Sequence, residues 1–338
     1  MSWAADPGGE LAPMRIIKHC LCVALAWGYA IPLHAAEGPS LAGPIGGTDI
    51  RSAVLPPPGL YGGWVVVLGG EVLNFVDGQG QPIPVLNDAN IKRTIVAPFI
   101  GYVPNINVLG GSIGFVAIVP YGKQCGHLFQ ANPKLCQSGF GDPYLETQWS
   151  RFFGVVTPPR SPGALPIMQG LSIALGFGVV VPSGQYNSTD PTTRALSAGS
   201  NIWDFAPHIA FTYTSAPILA DGTEFSTKIY WNKYRTNPAT QYSTGDLLNI
   251  DFAVSERIGR FQAGVAGFYA FQVADDKQFG IPVPPDGQRV KILNLGGVLA
   301  YDMPEFGALI KIKTLQSVFV ENSAHTRGIV LTFVKKLH

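Results

Sequence analysis

Large apolar side chains recur at every second position through most of this chain, and that period admits few folds. In GLSIALGFGVVVPSG, Leu171, Ile173, Leu175, Phe177, Val179 and Val181 share one face, with Ser172, Ala174, Gly176, Gly178 and Val180 on the other. DLLNIDFAVSER sets Leu248, Ile250, Phe252 and Val254 against Asn249, Asp251, Ser255 and Arg257. RFQAGVAGFYAFQVADD sets Phe261, Val265, Tyr269, Phe271 and Val273 against Arg260, Gln262 and Gln272. TEFSTKIYWNKY sets Phe225, Ile229 and Trp231 against Lys228, Tyr230 and Asn232. FGALIKIKTLQ sets Phe306, Ala308, Ile310 and Ile312 against Lys311 and Lys313. In GDPYLETQWSRFFG, Leu145, Trp149 and Phe153 oppose Glu146, Gln148 and Ser150, although Arg151 shares the apolar side and Phe152 the polar one.

A soluble sandwich alternates too, but its outer face meets bulk water and is rich in charge. Here the second face is Ser, Gly, Ala, Asn and Gln with a few charges, and only 13% of the chain is charged. That is about half the usual share for a soluble domain. The alternating segments run about 10 to 15 residues, longer than ordinary strands and long enough for a tilted bilayer crossing. In a bilayer every backbone polar group needs a partner, so the sheet must close. The reading is all-β: a closed antiparallel transmembrane β-barrel of about 12 strands over 58–338. Strands are expected near 59–69, 91–103, 110–120, 142–156, 167–181, 201–214, 223–235, 245–257, 260–273, 289–301, 305–316 and 325–334. Alternation is ambiguous in WVVVLGG and LNLGGVLAYD, the first and tenth. Connections at Gly259 and at 302–305 are short, while 121–141, 182–200 and 274–288 are long. Short turns belong on the periplasmic side of such barrels and long loops outside the cell.

Hydrophobic residues make up 46% of the chain, yet no run outside the N-terminus approaches a membrane-spanning helix. The 40 Gly and 28 Pro suit strands joined by turns better than helix interiors. A net charge of +1 leaves no basic footprint, so no nucleic-acid partner is expected. Zinc-type spacings, phosphate loops and nucleophile elbows are missing, and no cofactor is expected. Residues 1–36 read as a leader plus signal peptide: MRIIKHCLCVALAWGYAIPLHAA opens at Met14, the expected true start, with Arg15 and Lys18 before an apolar run and small residues at its end. A single membrane anchor is the other reading of that run. Cys20 and Cys22 leave with the signal, and Cys125 and Cys136 remain as a candidate disulfide of an exported chain. His127 between them raises a metal site as the alternative, but two Cys and one His fall short of four ligands; no metal is expected.

NIWDFAPHIAFTY holds Asp204 and His208 four residues apart. On a helix they would share a face as an acid/base pair, but Pro207 would clash there. On a strand they face the lumen, roughly 13 Å apart at 3.3 Å per residue, beyond direct hydrogen bonding. Trp203 through Tyr213 in steps of two then face lipid, with a bulge or kink expected at Pro207. An enzyme reading, a lipid hydrolase or acyltransferase, would need His208 and Asp204 with Ser172 or Ser200 as nucleophile. The favoured reading makes the polar face a permeation path for small apolar solutes: Glu146, Gln148, Asp204, His208, Thr212, Lys228, Tyr230, Asn232, Asn249, Asp251, Arg260, Gln262, Gln272, Lys311 and Lys313. A structural or adhesive barrel is a third reading. Residues 37–57, with Pro56-Pro57-Pro58 at their end, are expected as a periplasmic tail, an inward plug being the other arrangement.

The order of GDPYLETQW, GFGVVVPSGQYN, NIWDFAPHIAFTY, YSTGDLLNIDFAV and GVAGFYAFQVADDK, with LPPPGLYGGWVVV ahead of them, resembles the meta-pathway phenol-degradation proteins over about residues 55 to 334. The resemblance implies a barrel in the outer membrane of a Gram-negative bacterium. It also implies passage of hydrophobic or aromatic compounds linked to aromatic catabolism. It carries over no functional residues. The partners expected are the lipid bilayer, a small hydrophobic or aromatic solute and the barrel-assembly machinery. One departure is the end, LTFVKKLH: Phe333 lies five residues short of the terminus, where such barrels end in an aromatic residue.

Overall fold

The computed structural model describes residue 37 and residues 41–129, 133–159 and 164–338. The leader expected over 1–36 lies outside the described residues.

The wall begins with β1 (Gly59–Val76), β2 (Asn90–Val103) and β3 (Ser112–Ile118). A hairpin of β4 (Tyr121–His127) and β5 (Leu135–Phe140) rises above β3. The wall continues with β6 (Tyr144–Thr157), β7 (Ile167–Val180), β8 (Asp204–Thr214) and β9 (Gly222–Tyr234). Beyond β10 (Tyr242–Ser243) come β11 (Leu247–Ile258) and β12 (Phe261–Gln272). Beyond β13 (Lys277–Gln278) and β14 (Ile281–Pro282) come β15 (Lys291–Met303), β16 (Ala308–Glu321) and β17 (Ser323–Lys336). The two-residue strands β10, β13 and β14 form a small sheet of their own among the connections. β1 pairs with β2 on one side and β17 on the other, so the twelve long strands close on themselves. Closure leaves no unpaired edge for the lipid to meet.

Each of the twelve expected stretches carries a strand. β1 runs on to Val76, past Gly69-Gly70, where its ladders shift register. On β8 the side chains of Asp204, Ala206, His208, Ala210, Thr212 and Thr214 are buried, and Phe205, Ile209 and Phe211 are turned to the other face. The bulge expected at Pro207 is not there: the β7–β8 ladder runs through Phe177↔Pro207 without a break. The β8–β9 ladder lacks its pairs between Phe205↔Lys233 and His208↔Tyr230 but resumes in the same register. Segment 121–141, expected as a loop, is mostly the β4–β5 hairpin, in which Cys125 and Cys136 are cross-strand partners joined by a disulfide. β17 continues through Lys336, so Lys335 and Lys336 are part of the wall beyond Phe333.

The turns at 104–111, 215–221, 259–260 and 304–307 lie at one end of the barrel. The connections 77–89, 181–203, 235–246 and 273–290 lie at the other, with the single-residue turn Asn322. Among the described residues no helix is long and apolar enough to cross a membrane; α1 (Pro191–Ala195) is one short turn in a long connection.

Residues 41–58 depart most from expectation. They are not a free tail but a plug running lengthwise inside the barrel. Near the long-loop end Tyr234 donates its hydroxyl to Ala42 O at 2.8 Å. At mid-depth Ile50 packs among Ala253, Ala266, Val298 and Ala300. Deeper still Ala53 packs on Ala174 and Ala210. Small wall residues there leave room for a second chain segment. A twelve-stranded barrel is wider than the eight-stranded kind that its own side chains fill, and polar wall groups without partners would be costly. The plug supplies both volume and partners.

Candidate lumen site

Asp251 on β11 accepts from Gly46 N at 2.9 Å and from Thr48 N and Thr48 Oγ1 at 2.8 Å each. Asn249 steadies it from two residues away, Nδ2 to Oδ1 at 2.9 Å. Gly46 sits at φ +66°, where a side chain would be strained, and a Cβ there would stand 2.6 Å from the Phe268 ring. Lys311 and Lys313 on β16 reach Asp49 at 2.6 and 2.9 Å, and Lys313 also donates to Gly46 O at 2.8 Å. Arg51 forks onto Asp302 at 2.9 and 2.7 Å and donates Nε to Gln262 at 2.8 Å, while its backbone N–H meets Glu224 at 2.8 Å. A fork onto a carboxylate fixes direction as well as distance. Arg257 lies 3.5 Å from the same Asp302. Ser52 N and Ala53 N are received by Ser226 Oγ and Thr212 Oγ1 at 2.9 and 3.1 Å.

Higher in the lumen Asp204 accepts from Asn232 Nδ2 at 2.6 Å. A Cβ at Gly43 would lie 2.4 Å from that carboxylate, so only glycine lets the plug pass there. Lys228 Nζ donates to Glu146 Oε1 at 2.7 Å and Gln148 Oε1 at 2.9 Å, and Tyr144 donates its hydroxyl to Glu146 Oε2 at 2.6 Å. His208 Nε2 stands 3.9 Å from Glu146, and its ring centre is 5.0 Å from that of the fully buried Tyr230. Asp204 and His208 thus engage different partners. Ser200 gives its hydroxyl to Asp142 at 2.7 Å, and Ser172 lies across the ladder from Thr212. No nucleophile–base–acid chain forms from the four residues the enzyme reading named.

Of the fifteen polar residues singled out, thirteen line or support the lumen. Gln272 lies at its long-loop end, where its Oε1 accepts from Val290 N at 2.7 Å and its amide bonds Asp276. Arg260 is the exception: it sits in the two-residue turn before β12 and pairs with Glu305 of the neighbouring turn at 2.7 Å.

The opposite sector of the wall was not foreseen. The inward residues of β1, β2 and β3 include Tyr61, Val65, Ile95, Phe99, Val116 and Ile118, with Arg93 of β2 the charged residue among them. The plug makes few polar contacts here, and space remains. A cavity of about 590 Å³ lies between Gly43, Pro44, Gly47 and Thr48 of the plug and Val65, Ile95, Val116, Ile118 and Arg93 of the wall. A second of about 180 Å³ lies toward the short-turn end, bounded by Leu55, Pro56, Tyr61, Phe99 and Val103. A third, of about 240 Å³, shares Leu55 with it and reaches the turn at 104–111. The connection 181–203 roofs the first cavity. There Tyr186 donates its hydroxyl to Glu37 at 2.9 Å, and burial, with the Glu37 charge, pushes its phenol up to about 12, so it stays a neutral donor. Among the described residues no group of three or more His, Cys, Asp or Glu could hold a metal ion.

A closed twelve-stranded antiparallel barrel with a lipid-facing apolar surface and a plugged lumen is an outer-membrane type of fold. The sequence profile of the family described as "Putative MetA-pathway of phenol degradation" matches residues 74–333, and the chain belongs to that family. Among solved structures it is similar to the COG4313 outer membrane channel from Pseudomonas putida F1, with a TM-score of 0.69 at 13% identity. That match covers 85% of this chain and 99% of the other. The transport unit of the autotransporter AIDA-I from Escherichia coli matches at a TM-score of 0.48 and 8% identity, covering 86% and 93%. A monoaromatic hydrocarbon channel, the TodX deltaS2S3 mutant, matches at 0.35 and 8%, covering 84% and 91%. A search of the curated proteins found no match.

Proposed function

We propose that this protein is an outer-membrane channel for small hydrophobic or aromatic compounds, and that the solute travels between the plug and the apolar sector of the wall. The observation that carries this is the division of the lumen. The polar face of β8, β9, β11, β12, β15 and β16 is occupied in gripping the plug, while β1 to β3, apart from Arg93, turn mainly apolar side chains onto open cavities. A hydrated solute would gain nothing on that wall, whereas an apolar one is freed from water at about 25 cal/mol per Å². The family and the channel from Pseudomonas putida F1 support the same reading. Of the polar residues, Glu146, Gln148 and Tyr230 border the path, while Thr212, Asp251, Gln262, Lys311 and Lys313 hold the plug.

The barrel resides in the outer membrane of a Gram-negative bacterium, long loops outward, placed there by the barrel-assembly machinery after a signal peptide over residues 14–36 is removed. The test is solute entry into vesicles with a lipopolysaccharide outer leaflet, which slows unaided entry. Refolded protein is expected to speed uptake of small aromatics; no gain over protein-free vesicles would sink the proposal.

A further inference from the structure

Two cavities beside the plug share part of their lining. The 590 Å³ and 180 Å³ cavities adjoin along the apolar sector, and the residues that line both are Val116 and Glu146. Val116 offers an apolar surface. Glu146 brings a carboxylate, and that carboxylate is compensated: Lys228 Nζ lies 2.7 Å away and the Tyr144 hydroxyl 2.6 Å. Lys228 is buried, with a side chain 3% exposed, and its remaining contacts are Gln148 Oε1 at 2.9 Å and the Tyr230 ring at 5.0 Å. Where the two cavities meet, a carboxylate in the lining is therefore backed by one buried charge of the opposite sign.

Such a pair treats two solutes of the same size differently. A neutral molecule with a hydroxyl can rest its apolar body on Val116 and donate its one hydrogen bond to Glu146. A carboxylate brings net charge into a site whose lysine is already taken, and charge without a partner is costly there. The upper cavity is lined by charges of both signs, Arg93 and Arg194 with Glu37 and Asp142, so the discrimination falls where the two cavities meet. We infer that Glu146 and Lys228 form a charge-balanced selectivity waist that passes neutral, hydroxyl-bearing apolar solutes and holds back carboxylates of similar size. The inference rests on the transport reading above and names the solute class it admits.

The test compares benzyl alcohol and benzoate in the lipopolysaccharide vesicles at pH 8, above the ordinary histidine range, each corrected for protein-free vesicles. The wild-type protein is expected to carry the alcohol at least about tenfold faster. Glu146→Gln leaves Lys228 without its counter-charge and should raise benzoate flux by about tenfold. Lys228→Met leaves Glu146 uncompensated and should lower it further. These opposite signs are not what a loosened barrel gives, since loosening raises both fluxes together. Val116→Trp narrows the same point without touching charge and should slow both solutes alike. The heat-modifiable gel shift of a folded barrel identifies which variants to score. Benzoate fluxes that move the same way in both charge variants, or do not move, overturn the waist, as does an unaffected Val116→Trp. If no solute gains over protein-free vesicles even with the wild-type chain, the transport reading falls with it.

Discussion

Asp251 receives four hydrogen bonds, three of them from the plug. Replacing it with Ala would leave buried donors unmatched, at about 1–3 kcal/mol for each. Asp251→Ala is therefore expected to loosen the plug's middle and to raise the conductance and noise of single channels in planar bilayers; a trace like the wild type would count against Asp251 as an anchor. At this scale the sequence was informative where parity held. Lys228, Asn249, Asp251 and Lys313 were placed inside by counting in twos, and inside they are. Arg260 was misplaced because the count was carried across a turn, where side-chain direction is no longer tied to the strand. Asp302 and Arg51 were missed for related reasons: one was read as part of a turn, the other as part of a tail.

The strands were legible in proportion to how different their two faces are. β8, β9, β11 and β12 set aromatic and branched residues against polar ones, and their limits were found within a few residues. β1 was ambiguous in WVVVLGG because both its faces are apolar, one toward lipid and one toward a cavity. The β4–β5 hairpin was hidden by Gly122, Gly126 and Gly139, which read as loop residues. Its strands are held by a ladder to β2 as well as by Cys125–Cys136. Changing both cysteines to serine should remove about 3 kcal/mol of local restraint. The expected result is faster protease cutting within the hairpin and an unchanged heat-modifiable shift; loss of that shift would mean that the bond is needed for the wall itself.

For the whole molecule, wall and plug are separable in their bonding. Every ladder that closes the barrel runs from strand to strand, with no plug residue in it. Deleting residues 41–56 should therefore leave a folded barrel with a wider lumen and a conductance several times higher, read in the same bilayers. Failure to fold would show that the plug's ion pairs are needed to offset the buried wall charges. The plug was not legible because it has no period to read. Its partners lie far along the chain, Asp49 and Lys311 being 262 residues apart, and nothing local in TDIRSA announces them.

Glu37 is held by Tyr186 and Asn237 among the long connections, while β1 starts from Gly59 at the opposite end. Residues 41–58 are therefore threaded through a ring made from the rest of their own polypeptide. When β1 zips to β17, the ring shuts around that thread. Either the thread is already in place at that moment, or its free end must later be pulled through a finished hole. Building this wall and filling it are one problem in the order of events.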